Sequence, residues 1–134
     1  MFFAIINNNH FHLDKESTVV FETIILNEGD GYNKYDGVFV APEDGIYLFS
    51  WTVSSQGSSL VMTKLVVDSK VISSTGERNN HSNGHTSAPM TTLCRMKQDC
   101  HAFIRTTGYN GPHYFHSFNN HPRNSLLGVL VHVG

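Results

Sequence analysis

The side chains able to hold a metal or grip a sugar concentrate in the second half of the chain, within its most polar stretches. Residues 75 to 87, Thr-Gly-Glu-Arg-Asn-Asn-His-Ser-Asn-Gly-His-Thr-Ser, carry Glu77, His81 and His85 among asparagine amides. One carboxylate and two imidazoles make a poor calcium cage, because calcium takes oxygen donors, whereas imidazole suits zinc, copper or nickel. Glu77, His81 and His85 are therefore the candidate metal ligands, with a solvated loop as the alternative. His10-x-His12 is a second pair, which strand alternation would turn to one side. Further along, Arg105, Tyr109, Asn110, His113, Tyr114, His116 and Arg123 bring aromatic faces, hydrogen-bond donors and cations into one short span. A shallow carbohydrate site needs those groups: rings to stack on, donors for hydroxyls and a guanidinium for an acidic sugar. Edge-strand packing is the competing explanation for Tyr114 and His116.

Catalytic patterns are missing. The chain has no Gly-x-Ser-x-Gly elbow, no His-Glu-x-x-His pair and no glycine-rich phosphate loop, and its acids are scattered through turns, so a non-enzyme is expected. Asn80-His81-Ser82 is an N-glycosylation acceptor pattern, meaningful only in a protein secreted from a eukaryotic cell; a glycan there would obstruct a metal site on the same loop. Cys94 and Cys100 flank a segment centred on Lys97, and a three-residue hairpin loop would set them across a ladder at a spacing compatible with a disulfide. Two free, partly buried thiols are the alternative, and cysteine number does not reveal the compartment.

These groups need a framework, and the length bounds it. At 134 residues the chain fits a single domain, 1–134, that buries about two-thirds of its unfolded surface. A net charge of −2 argues against nucleic-acid and polybasic membrane partners, both of which need clustered Lys and Arg. That count treats nine histidines as neutral, so mild acid would make the chain strongly positive. No apolar run approaches the roughly 20 residues that span a bilayer, so no membrane insertion is expected; the opening Met-Phe-Phe-Ala-Ile-Ile lacks a basic leader.

The periodicity is that of strands. Residues 1–6, the β-branched run 18–26, 37–40, the alternating stretch through Tyr47, Phe49, Trp51 and Val53, then 60–67 and 70–74 read as strands, with a tight turn at Asp68-Ser69. Asn7 to His12 reads as loop, as does the whole of 75–87. Residues 90–96 and 100–106 read as a hairpin about Lys97-Gln98-Asp99, 114–118 as a short aromatic strand and 125–133 as the last. No helix, heptad or repeat is visible. Two strands apolar on both faces imply that one sheet buries its outer face in an oligomer.

Written as a pattern, the central stretch is Phe21-x5-Asn27-x4-Tyr32-x6-Phe39-x5-Gly45-x-Tyr47-x-Phe49-x-Trp51. It resembles the signature of the C1q globular-head family at every position but the last, where Trp51 stands in place of Phe or Tyr. Phe2-Phe3-Ala4 looks like that family's opening strand, and Ser125-x-x-Gly128-x-Leu130 like its closing one. Leu126 and Gln98 depart from the usual aromatic and glycine. The resemblance implies an all-β, ten-stranded jelly-roll sandwich of the C1q and tumour-necrosis-factor type, assembled as a homotrimer. It makes Phe21, Tyr32, Phe39, Tyr47 and Phe49 core residues and Gly37 and Gly45 backbone-geometry glycines. Some members bind Ca2+ near the top of the trimer through carboxylates and amides, a pattern this chain departs from. Three copies of His81 or His85 around an axis would instead suit a transition metal such as Zn2+. The family further implies a secreted, extracellular, lectin-like pattern-recognition protein of innate immunity that binds microbial or sialylated glycans. A histidine-rich metal-binding extracellular protein and a cytokine-like receptor ligand are the two alternatives.

Overall fold

The structure is a computed structural model that describes residues 1–79, 84–121 and 123–134. Strands β1 (Phe2–Ile5), β4 (Thr23–Asn27), β7 (Gly45–Gln56), β10 (His85–Met96) and β13 (Ser125–Val133) form one sheet, ordered β10-β7-β13-β1-β4. The second sheet is built from β3 (Thr18–Val19), β5 (Tyr32–Asn33), β6 (Val38–Val40), β8 (Ser59–Val67), β9 (Lys70–Asn79) and β11 (His101–Thr106). Its order is β5-β6-β11-β8-β9, with β3 paired to β11. A two-stranded ribbon of β2 (Asn9–Leu13) and β12 (His113–Ser117) completes the fold. Every pairing is antiparallel. Among the described residues there is no helix, hence none long and apolar enough to cross a membrane.

The two sheets face each other across the residues that the alternation selects. Tyr47, Phe49, Trp51 and Val53 of β7 point inward and are buried, as are Phe21, Tyr32 and Phe39. Phe2 stacks on Tyr32 at 4.7 Å, and Phe39 meets Tyr47 and Phe49 edge-on at 5.7 and 5.9 Å. Polar tips inside this core are satisfied. The Tyr32 hydroxyl donates to the Phe21 carbonyl and accepts from its N–H, the Tyr47 hydroxyl donates to Glu43, and the Trp51 indole donates to Thr63 Oγ1. Gly37 holds φ +75°, and a Cβ on Gly45 would collide with the His132 carbonyl, so both expectations for glycine hold for distinct reasons.

Several expected boundaries change. β9 runs on to Asn79 and β10 begins at His85, so most of the stretch read as a loop over 75–87 is strand. β9 pairs along its length with β8, Glu77 opposite Val61 and Arg78 opposite Leu60. An edge strand pairs through its backbone and can keep polar side chains. Asn9–Leu13, read as loop, is also strand, since Phe11 stacks on Phe115 at 5.0 Å and gives the ribbon one apolar face. The supposed hairpin about Lys97 is instead a crossing between sheets: β10 pairs with β7, and β11 with β8, β3 and β6. Cys94 and Cys100 therefore do not face each other across a ladder, and both are free thiols. Burial pushes the Cys94 thiol up, with Cys100 adding to the effect, which leaves it a poor nucleophile. The Asp68-Ser69 turn is as expected, both residues left-handed at φ 50° and 64°.

One polar clamp fixes the end of the sandwich where the ribbon attaches. Buried Asn124 accepts from Ser54 N–H at 2.7 Å through Oδ1 and from Ile6 N–H through its carbonyl. The buried Ser117 hydroxyl donates to the Ile6 carbonyl and accepts from Asn124 N–H. The ends of β1, β7, β12 and β13 are thereby tied together. On the outer face of the five-stranded sheet, Leu48 lies between Val129 and Leu93, and Phe3 beside Leu127; Leu93 is 59% exposed.

Candidate metal centre and adjoining groove

Four histidines from separate parts of the chain meet at that clamped end. The ladder of β2 and β12 sets His10 opposite His116. Past the end of β12, the His121 N–H bonds the Phe118 carbonyl at 3.1 Å, a tight turn that folds the His121 ring back beside His116. His85 arrives as the first residue of β10, opposite Gln56 at the end of β7. One ring nitrogen from each of His85, His116 and His121 lies within 4.8 Å of the other two. The rings of His85 and His121 are 4.5 Å apart and those of His116 and His121 are 5.0 Å apart.

His116 sits at the middle with both nitrogens engaged by other imidazoles. Its Nε2 is 2.8 Å from His121 Nδ1 and its Nδ1 is 3.0 Å from His10 Nδ1. A neutral imidazole carries one proton, so His116 donates at one nitrogen and presents a lone pair at the other. If Nε2 binds a metal, the proton sits on Nδ1 and His10 accepts it, in the outer-shell place that a carboxylate, carbonyl or water usually takes beside a metal-bound histidine. Burial holds His116 below the ordinary histidine range, and positive charge on His10, His121 or His85 would lower it further. The ring is therefore kept in the neutral form that metals require.

A tetrahedral zinc with bonds of about 2.0–2.1 Å would set its nitrogens roughly 3.3 Å apart. His85 and His121 are exposed and His116 is buried, so modest rotation of the outer two rings about the fixed one draws in the 4.8 Å spread and opens the 2.8 Å His116–His121 contact to that spacing. The set fits zinc, copper or nickel. It does not fit calcium, since all three donors are nitrogen and none is a carboxylate.

Of the expected ligands Glu77, His81 and His85, only His85 enters this centre. Glu77 lies exposed on β9, and His81 falls outside the described residues, as does most of the Asn80-His81-Ser82 acceptor pattern. His116 moves from the sugar set to the metal set, and His10 of the second pair joins as its hydrogen-bond partner. His12 lies against Tyr114, ring centroids 5.7 Å apart. His121 was in neither set, and the signal for it is only its position five residues after the strand-borne His116, at the close of the turn begun by Phe118.

The remaining sugar candidates divide. Tyr109 and Asn110 line one surface depression and Tyr114 another, and the two share Leu60 and Arg78 as a common wall. Arg78 donates to the Tyr109 hydroxyl at 3.2 Å. It was missed because residues 75–87 read as loop, whereas strand β9 delivers its side chain to the groove. His113 is a correction: it is buried with Nδ1 accepting from Met62 N–H at 3.0 Å and Nε2 facing the Tyr109 carbonyl at 3.1 Å. Both nitrogens are consumed by backbone, so it holds the fold. Arg105 lies over the Phe103 ring, 3.8 Å from Glu16, which Lys64 also grips. Arg123 donates to Asn7 and Asn119 and braces the turn that carries His121.

Comparison with known proteins places this architecture. The structure matches the globular domain of zebrafish complement 1qA protein at TM-score 0.79, with 14% identity and coverage of 99% of this chain and 98% of that one. It also matches the Eiger TNF of S. frugiperda at TM-score 0.74, with 9% identity over 99% and 94% of the two chains. Murine APRIL follows at TM-score 0.68, with 12% identity over 97% of each. These likenesses establish the C1q and TNF jelly-roll fold. In sequence, the chain is 26% identical over 126 residues, 90% of its length, to a Mytilus edulis protein named heavy metal-binding protein HIP; it spans 55% of that protein. The C1q domain model matches residues 1–122, and the chain belongs to the C1q domain family.

Proposed function

We propose that this C1q-domain protein binds a divalent transition metal through His85, His116 and His121. The observation that carries the reading is the convergence of three imidazole nitrogens within 4.8 Å, one of them on a buried, hydrogen-bonded ring. The name of the Mytilus edulis relative, a heavy metal-binding protein, supports the same reading. Calorimetric titration of the untagged protein with Zn2+, Cu2+ and Ni2+ tests it. One metal per chain is expected, lost in the His85→Ala/His121→Ala double variant, with no heat from Ca2+. Absence of binding by the unaltered protein would refute the assignment.

A second reading rests on the groove at Arg78. Its guanidinium stands beside the Tyr109 hydroxyl, with Tyr114, Asn110 and the serines of the β7–β8 turn around it. An aromatic and cationic groove of this kind suits an acidic, microbial or sialylated glycan, in keeping with an extracellular recognition role in innate immunity. On this reading three protomers associate through the apolar outer face bearing Leu48, Leu93 and Val129, which multiplies weak single-site affinity. A glycan array is expected to show binding that Arg78→Ala abolishes and that Leu48→Asp weakens by dissociating the trimer, followed by sedimentation. A folded trimer that binds no glycan would remove this reading and leave the metal centre untouched.

A further inference from the structure

The geometry points to a ternary site, in which a metal held by His85, His116 and His121 takes its fourth donor from the carboxylate of a sugar acid lying against Phe118. The inference rests on the metal reading of the same histidines and adds the ligand. Three imidazoles leave a tetrahedral ion one position short, and an open position is what separates a metal that binds or activates ligands from a purely structural one. Among the described residues nothing in the cluster fills it: His10 faces the far nitrogen of His116, and no carboxylate belongs to the group.

A depression adjoins the cluster at His121. It is lined by Asn8, Phe118, Asn119, Asn120 and His121, so one metal ligand is also part of its wall. The Phe118 ring is 4.7 Å from His116 and 6.1 Å from His121, centroid to centroid. The lining is held in place: Asn8 Oδ1 accepts from Asn119 N–H at 3.1 Å, and Arg123 donates to both Asn7 and Asn119. This wall offers one aromatic face and several amides with no acid among them. Aromatic faces stack on the C–H face of a sugar ring, and amides pair with its hydroxyls. A divalent cation favours an anionic donor over a neutral one, and the wall beside it is braced by the Arg123 guanidinium through Asn119. A carboxylate carried on a polyhydroxylated ring satisfies all of these groups together. It could be the terminal acidic residue of a glycan or a free sugar acid.

Untagged protein loaded with Co2+ provides the readout, because the visible bands of the ion report its fourth ligand. Glucuronate, and separately an oligosaccharide ending in glucuronate, are titrated in, with glucose and acetate as controls. Glucuronate or its oligosaccharide should shift the bands at concentrations where glucose and acetate do not, and whichever saturates at lower concentration identifies the source. Phe118→Ala should weaken the sugar acid about tenfold beyond any change in Co2+ affinity, and Asn120→Ala, at an exposed position, tests the same wall if Phe118→Ala fails to fold. Bands that form but ignore glucuronate, or respond equally to acetate, would overturn the ternary site while leaving the metal centre standing. Failure of Co2+ to bind at all would overturn the metal centre itself, and this inference with it.

Discussion

The two faces of β12 carry two buried histidines with opposite fates. His113 points into the sandwich, wholly buried, its nitrogens taken by the Met62 N–H and the Tyr109 carbonyl. His116, three residues on, is nearly as buried at 6% exposed, but its nitrogens face the imidazoles of His10 and His121. Burial alone does not distinguish a structural histidine from a ligand. The partners do: backbone groups have a fixed donor or acceptor sense and settle the tautomer, whereas two facing imidazole nitrogens can compete for a proton or share a metal.

Substitution should separate the two most sharply. His113→Ala leaves the partly buried Met62 N–H and the Tyr109 carbonyl without their partner and opens a cavity, a loss of about 2–4 kcal/mol. Urea denaturation is expected to show it, with metal affinity of the folded fraction unchanged. His116→Ala should cost more than about a hundredfold in metal affinity, since even outer-shell partners cost ~10–100-fold, with the smaller stability loss of a cavity that leaves no backbone group unpaired. Equal effects of the two substitutions on both measurements would dissolve the distinction.

His10→Ala sharpens it by removing the partner and keeping the ligand. Affinity is expected to fall about tenfold, measured by competition with a chelator, because His116 loses the acceptor that fixes its Nδ1–H. A loss as large as that of His116→Ala would make His10 itself a ligand.

The smallest effect is on pH dependence. Burial pushes His113 below its ordinary value, and the hydrogen bond to Tyr109 offsets this only in part. The unfolded chain then binds more protons than the folded one below about pH 6.5, so this contribution is complete above that pH and lost as pH falls. The urea midpoint of the metal-free protein should drop between pH 7 and 5, with a shallower slope in His113→Gln. An unchanged slope in that variant would move the cause to another group.

Much of the scaffold was legible in the sequence. Phe21, Tyr32, Phe39, Tyr47 and Phe49 are all buried, and the alternation from Tyr47 to Val53 sets the central strand, because hydrophobic burial writes its period directly into the residue types. Apart from β2, whose Phe11 and Leu13 are set among polar residues, the strand lengths that escaped notice are those that pair without needing an apolar face. Glu77 and Arg78 extend an edge strand, and the first residues of β10 pair with Ser54, Ser55 and Gln56 at the polar end of β7. The Lys97 crossing misled for a different reason, since a short turn between two strands looks alike whether it returns along one sheet or passes to the other. The candidate metal centre was least legible. Its residues at 10, 85, 116 and 121 share no sequence spacing, and only the β2–β12 register, the turn after Ser117 and the start of β10 bring them together.

The end of β9 and the start of β10 have a further consequence for how such a protein diversifies. Arg78 and His85 are seven positions apart, yet they belong to opposite sheets and to the two different sites proposed above. Neither is part of the aromatic core, so both can mutate without retuning it. A lineage can gain, lose or exchange one recognition chemistry for the other by changes confined to a single connection, while the interior that makes the domain fold passes unaltered from copy to copy.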